Sequence, residues 1–288
     1  MSPARNNRFD DFFAEESYVS LKNLFYNYLL RRRAVAKCMQ DLPGQRILDV
    51  GSGLSPMVGD SDLADRVVHC DLSFRALRRL KQERRRGFFV AADAVRLPFR
   101  DASFSRIVCA EVLEHIPEDR RAIREMASAL KTGGSLILTF PHRRAWYGLD
   151  DRFVHHLRRY DLGEMLEGLT QAGLDPAEIR KVLGPLEKGT MVAAVWLLIL
   201  LQSFQRGKGG GESRKTRKMA LFLFKWCNRF YCLPAWLDAR ISPRRLAAVL
   251  LIRAVKPDRE HSESPDNMDH SPVSRSHKNI YSIPPNSP

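Results

Sequence analysis

Residues 111 to 119 read EVLEHIPED, which places two carboxylates and an imidazole, Glu111, Glu114 and His115, within five positions before Pro117 breaks the run. Acid, acid and histidine at this spacing can hold a divalent cation, exchange a proton or frame a ligand pocket. Three further acids follow a longer rule. Asp49, Asp71 and Asp93 succeed one another at intervals of twenty-two residues, each at the end of a short apolar run. Carboxylates at such positions serve no packing purpose and suit a polar or cationic ligand. In DDRFVHHLRRYDL (150–162), His155 and His156 are candidate bases near neutral pH, or one of them packs against the helix that follows. With His142, they are also the donors that a metal at Glu111, Glu114 and His115 would need to complete its shell.

These groups need a frame. Apolar residues at three and four from Phe12 to Leu29, continued by LLRRRAVAKCM, predict a helix over 12–40. RILDV (46–50), RVVHC (66–70), FFVAA (88–92), RIVCA (106–110) and SLILTF (135–140) have the length and apolar character of buried parallel strands. Helical stretches separate them. One begins near Pro117 and stops at Gly133-Gly134; another, 161–173, opens with Asp161 and Glu164 in capping-box spacing and ends on glycine. LAAVLLIRAV (246–255) is a last strand. Alternating strand and helix means an α/β fold, a Rossmann-like doubly wound sheet.

ILDVGSGLSP reads as a glycine-rich turn from the first strand into a helix, and lets Gly51 and Gly53 bring backbone close to a ligand at the strand's carboxyl edge. An acid at Asp71 suits a ribose diol. A dinucleotide fingerprint would need a third glycine where Pro56 stands, and proline removes a donor that a pyrophosphate would use. The pocket therefore reads as one for a nucleoside without a pyrophosphate.

ILDVGSGLSP, HCDLS, AADAVRLPFRDASFSRIVCAEVLEHI and REMASALKTGGSLILTFP resemble the successive motifs of class I S-adenosylmethionine-dependent methyltransferases, in the branch that includes the ubiquinone and menaquinone type. The resemblance spans residues 40 to 183, with an echo at 246–257. It implies a seven-stranded sheet whose last strand is antiparallel, and S-adenosyl-L-methionine as cofactor. By the same resemblance Asp49 lies near the cofactor's amino-acid moiety, Gly51, Ser52 and Gly53 under its backbone, and Asp71 with Leu72 at the ribose. Asp93 would face the adenine amino group with Ala94 beside it, and Glu111 would close the pocket. Ser55-Pro56 departs from the family's third glycine. In certain ubiquinone O-methyltransferases and small-RNA 3′-end methyltransferases a triplet like Glu111, Glu114 and His115 binds a divalent metal. The preferred reading needs no metal, and lets Glu114 and His115 orient the loop.

Partners are suggested by charge and by an insert. Forty-seven Lys and Arg against 33 Asp and Glu leave +14, which favours anionic surfaces. The five cysteines show no C-x-x-C pair and no secreted framework, and MSPARNNRFDDFF has no apolar signal core, so a cytoplasmic protein is expected. The organisation expected is an N-terminal helical segment (1–40), a cofactor-binding core (41–184), an apolar and basic helical insert (185–240), the last core strand (241–257) and a disordered tail (258–288). In the insert, MVAAVWLLILL (191–201) would span only about 17 Å as a helix. A basic glycine-rich loop joins it to MALFLFKWCNRFYCLPAWL (219–237). That pattern suits a hairpin lying on anionic lipid, whereas a buried subdomain core leaves the basic loop unexplained. Nucleic acid would use the charge and leave the apolar run idle. The function expected is methyl transfer at a membrane surface to a small or lipid-linked acceptor, such as a quinone precursor, an isoprenoid lipid or a lipid-linked sugar. The alternatives are a metal-assisted RNA 2′-O-methyltransferase and a cofactor-binding module without turnover.

Overall fold

The structure, a computed structural model, describes residues 25–39, 46–58, 64–84, 86–193 and 214–258, with only the backbone described over 214–224. The first half of the expected N-terminal helix, most of the run 191–201, the glycine-rich stretch and the tail beyond 258 lie outside the described residues.

The apolar runs fold as strands β1 (Ile47–Val50), β2 (Val67–Asp71), β3 (Phe88–Ala91), β4 (Phe104–Ala110) and β5 (Leu130–Pro141), joined by β6 (Asp175–Leu183) and β7 (Val249–Val255). They form one seven-stranded sheet in the order β3-β2-β1-β4-β5-β7-β6. The first five pair in parallel, and β7 runs antiparallel between β5 and β6.

Successive residues of a strand face opposite sides of the sheet, and both sides are covered. Ile47 and Val108 pack with helix α1 (Tyr26–Cys38), whereas Leu48 and Ile107 pack with helix α3 (Asp119–Ala129) through Ile123 and Met126. Helix α2 (Phe74–Arg84) joins β2 to β3, and short α4 (Leu149–Phe153) and α5 (Leu162–Gln171) lie between β5 and β6. The long helix α6 (Arg214–Ile241) precedes β7 and leans on α1, with the Tyr26 and Tyr231 rings 4.8 Å apart. All five cysteines are free, and Cys38, Cys70 and Cys109 are buried. Because β1 is flanked by β2 on one side and β4 on the other, the connections diverge there and open a crevice at the strands' carboxyl ends.

Four local expectations are corrected. Helix α3 ends at Ala129, and Gly133-Gly134 sits inside β5, where Gly133 takes φ +71° and donates its N–H to Lys256 O at 2.8 Å. Pairing with the end of β7 replaces the helix stop. The capping box of α5 does not form: Asp161 accepts from the Arg144 N–H and Glu164 pairs with Arg144 Nη2 at 2.8 Å. No helix follows the glycine turn within residues 51–58, where Leu54, Met57 and Val58 are buried and Tyr28 Oη donates to Pro56 O at 2.9 Å. RKTRK (214–218), expected in a loop, forms the start of α6.

Candidate functional site

The crevice is built around the glycine turn. Gly51 and Gly53 have φ of +70° and +49°, a region costly for residues with a Cβ. A Cβ on Gly51 would lie 2.3 Å from Val112 Cγ2. Gly51 N–H donates to Cys70 O at 2.8 Å, fastening the turn to β2. The Asp71 carboxylate finishes the job, accepting from Gly53 N–H at 2.7 Å and Ser73 N–H at 2.8 Å. Leu72 beside it is half exposed. Asp93, just past β3, is exposed, accepts from Val95 N–H at 3.1 Å and has the half-buried Ala94 next to it. The strand-end acids therefore share one edge of the sheet, as their spacing suggested.

Asp49 differs from the other two because it is only 1% exposed. His69 stands beside it, in register on β2, with Nδ1 3.4 Å from Oδ2. Asp49, Gly51, Ser52, Gly53, Glu111 and Arg31 line a cleft that is partly open to solvent. Around that cleft Asp49 Oδ2, Ser52 Oγ, Ser55 Oγ and Arg31 Nε are buried and have no hydrogen-bond partner among the described residues. Buried polar atoms left unsatisfied are expensive, and these four belong to residues that line one cleft, where a ligand could supply the missing bonds.

Arg31 was not anticipated. Its guanidinium lies 2.8 Å from Glu111 Oε2, with both side chains largely buried, and Thr139 Oγ1 donates to Glu111 Oε1 at 3.3 Å. Glu111 itself sits at φ +55°. Helical phase did not single it out: Arg31 and Arg32 lie at i+3 and i+4 from the buried Tyr28 and at i−4 and i−3 from the buried Val35, equally near the buried face.

Glu114 and His115 go elsewhere. The Glu114 carboxylate is fully buried and neither oxygen has a hydrogen-bond partner among the described residues. Burial first, then the charge of Glu111, holds its carboxyl well above the usual range. His156 Nε2 approaches Glu114 Oε1 to 3.6 Å, too far for a hydrogen bond, and a protonated Glu114 makes no ion pair there. The other His156 nitrogen is 3.0 Å from Asp151 Oδ1, and the His115 and His156 rings meet edge to face at 4.8 Å. The group that could hold an ion is thus Glu114, His115 and His156, with ligand atoms within 4.8 Å of one another. Glu111 is paired with Arg31 instead, so the triplet suggested by spacing is redrawn.

Behind His156 lies a charge cluster that local sequence did not reveal. Arg159 Nε reaches Asp151 Oδ1 and Oδ2 at 2.7 and 2.9 Å, and Lys188 Nζ bridges Asp150 Oδ2 and Asp151 Oδ2 at 2.7 and 2.9 Å. Burial pushes Asp151 up, but the hydrogen bonds from His156 and Arg159 outweigh it and leave the carboxyl below its ordinary range. Glu187, in the helical segment 185–193, has Oε2 buried with no hydrogen-bond partner among the described residues, and burial pushes its carboxyl up to about 7. His155 is exposed, on a left-handed turn at φ +62°, and its carbonyl lies 3.1 Å from His115 Nδ1. His142 is buried with Nδ1 2.9 Å from Ala247 O, away from the other two.

The parallel sheet diverging at β1, with a glycine turn and strand-end acids at its carboxyl edge, defines a Rossmann-like methyltransferase fold. Residues 48–138 match the family model described as "Methyltransferase domain". Demethylmenaquinone methyltransferase of Renibacterium salmoninarum is 36% identical over 115 residues, 38% of this chain and 48% of the relative. Its counterpart from Beutenbergia cavernae is 31% identical over 134 residues, 46% of this chain and 55% of the relative. The chain thus spans about half the length of these curated relatives. Haemonchus contortus phosphoethanolamine N-methyltransferase 2, solved in complex with S-adenosyl-L-methionine, shares the fold with a TM-score of 0.53 at 18% identity, over 88% of this chain and 60% of that one. Residues 48–138 thus carry the sequence of a methyltransferase domain on a Rossmann-like methyltransferase fold.

Proposed function

We propose that this chain transfers the methyl group of S-adenosyl-L-methionine to a small or amphipathic acceptor at a membrane surface, the acceptor being a quinone precursor, an isoprenoid lipid or a lipid-linked sugar. The observation that carries the cofactor assignment is the set of unsatisfied polar atoms around the cleft. A zwitterionic amino-acid end fits them: Asp49 for its ammonium, Arg31 for its carboxylate, and Ser52 for a remaining bond. Gly51 and Gly53 let the backbone approach, Asp71 serves the ribose hydroxyls with Leu72 alongside, and Asp93 with Ala94 serves the adenine. Glu111, neutralised by Arg31, closes the pocket. The chemistry supplied by the bound cofactor is an electrophilic sulfonium methyl, whose C–S electron pair remains on sulfur in the thioether product. The protein's share is alignment and exclusion of water. The names of the two bacterial relatives support a quinone-type acceptor, and the basic charge together with the insert supports the membrane.

Calorimetry checks the cofactor. S-adenosylmethionine should bind and NAD should not, and Asp71→Ala should weaken binding by about 1.5–3 kcal/mol, the usual loss of a charged hydrogen-bond partner. Turnover should survive exhaustive chelation. NAD binding, or an unchanged affinity in Asp71→Ala, would overturn the cofactor assignment. Activity lost to a chelator and restored by Mg²⁺ would assign a metal to Glu114, His115 and His156 and favour the metal-assisted alternative.

A hydroxyl acceptor must also lose a proton. His155 is exposed and is proposed as the base, whereas Asp151 holds the more enclosed His156 in place. His155→Ala should lower kcat with the melting temperature unchanged, and His156→Ala should lower the melting temperature. The reverse pattern in paired kinetic and melting measurements would exchange the two roles.

A further inference from the structure

Glu187 is a buried acid left with an unmet hydrogen bond. The residue is 8% exposed, and its Oε2 has no hydrogen-bond partner among the described residues. A carboxyl in that state costs stability, so its presence calls for a partner from outside the chain. Lys188 beside it is committed to Asp150 and Asp151. Acids at the cleft are engaged as well: Glu111 with Arg31, and Asp71 with the N–H groups of Gly53 and Ser73. Asp49 is assigned above to the ammonium of the ligand.

The contact between segment 185–193 and α1 sets where this carboxyl stands. Asn27 Nδ2 donates to Met191 Sδ at 3.7 Å, and Thr190 Oγ1 lies 2.6 Å from Tyr231 Oη, whose ring meets Tyr26 at 4.8 Å. One helical turn from Met191 is Glu187, and one turn from Asn27 is Arg31. The charges acting on Glu187 come from separate elements: Arg159 before α5, Arg31 on α1, Glu111 after β4 and Asp150 on α4, with the Tyr26 phenol also in its field. Burial is the largest influence and favours the neutral form; Arg159 and Arg31 favour the charge, and Glu111 and Asp150 oppose it. Since Arg31 and Glu111 line the cleft, the field of Glu187 reaches into it.

A sulfonium is the charge such a carboxylate can meet. In S-adenosylmethionine it is joined to the amino-acid carbon through two methylene groups, so a ligand whose carboxylate meets Arg31 brings a fixed positive charge into that field. The thioether left after transfer has no charge at this position. We propose that Glu187 is the buried counter-charge by which the domain tells the sulfonium cofactor from its neutral thioether product, holding the first and releasing the second. This rests on the cofactor reading above and adds a residue for product release. The preference has a pH window. Below about 7 the carboxyl keeps its proton and the two ligands look alike; above it the carboxylate attracts the sulfonium alone.

The test is calorimetric binding of S-adenosylmethionine and S-adenosylhomocysteine to the full chain at pH 6 and pH 8, for wild type and Glu187→Gln. The ligands' own amino groups titrate near this range, but identically with both proteins, so the comparison cancels them. At pH 8 the wild type should prefer S-adenosylmethionine about tenfold more than Glu187→Gln does, and at pH 6 the two preferences should be equal. Glu187→Gln should bind S-adenosylhomocysteine as the wild type does, which reports an intact pocket. Glu187→Asp, which keeps the charge, should keep the preference at pH 8. Equal preferences of wild type and Glu187→Gln at both pH values would overturn the proposal and leave the cofactor reading standing. A Glu187→Gln protein that loses affinity for both ligands alike would overturn it too, by assigning the residue to the fold. Failure of the wild type to bind either ligand would overturn the cofactor reading and this inference with it.

Discussion

Gly51→Ala should unfold about 2–5 kcal/mol more easily than wild type and bind no measurable S-adenosylmethionine. Two costs add. A Cβ at φ +70° is strained by about 1–2 kcal/mol, and overpacking against Val112, whose Cγ2 would be 2.3 Å away, costs about 1–3 kcal/mol. The turn cannot shift to relieve them, because Gly51 N–H is bonded to β2 and Gly53 N–H to Asp71. Urea unfolding and calorimetry report the two losses. Combining the change with Val112→Ala should recover part of the stability, since it removes the clash and leaves the strained dihedral. A Gly51→Ala protein with wild-type affinity would show that no ligand passes close to this turn.

The second large effect belongs to Arg159. Its guanidinium is 4% exposed and serves Asp151 twice, Asp150 at 3.5 Å and the His142 carbonyl at 3.3 Å. Arg159→Ala would leave two buried carboxylates to share Lys188, and removing one partner of a buried pair typically costs about 3–5 kcal/mol. The loss should depend on pH. The folded protein holds the Glu187 proton up to about 7, against an ordinary 4.5, so it binds that proton more tightly than the unfolded chain does. That contribution to stability therefore falls as pH rises between those values. Burial drives the shift and Arg159 is the strongest opposing influence. Without Arg159 the Glu187 carboxyl would titrate higher still, and the decline would continue above neutrality. The deficit measured by urea unfolding should thus be larger at pH 8 than at pH 6. A loss under about 1 kcal/mol, equal at both pH values, would mean that the cluster is more hydrated than its burial indicates.

How much of this could be read beforehand depended on whether the signal was local. β1, β2 and β4 lie inside the sheet, so their apolar runs are nearly continuous, and Asp49 and Asp71 stand out against them; Asp93 follows β3, an edge strand whose apolar run is only partly buried. β6 is an edge strand with polar residues along Asp175–Leu183, and only the family resemblance implied it. Helical phase did not separate Arg31 from Arg32, and its partner Glu111 lies eighty residues away with no periodicity connecting them. The same holds for Asp151, Arg159 and Lys188, whose pairing arises only when the segment after β5 folds against the helical segment 185–193. The expected loop at 214–218 became helix because neighbours within α6 decided its conformation, which local charge could not show.

The place of β7 has a consequence for how the chain comes to fold. Leu138 of β5 pairs with Ile252, so one inner edge of the sheet is closed by a strand that begins 108 residues after β5 ends. Until that strand arrives, β5 presents a row of unpaired N–H and C=O groups beside Leu136, Ile137 and Leu138, residues that are fully buried when folding is complete. At about 5–20 residues per second a ribosome needs roughly 5–20 s to make the intervening chain. During that interval the nascent protein carries a sticky apolar edge, and the cofactor half of the sheet waits on its last strand. Slow closure of so distant a contact makes this domain a natural client for chaperones, and marks β5 as the segment through which it would aggregate when synthesis is interrupted.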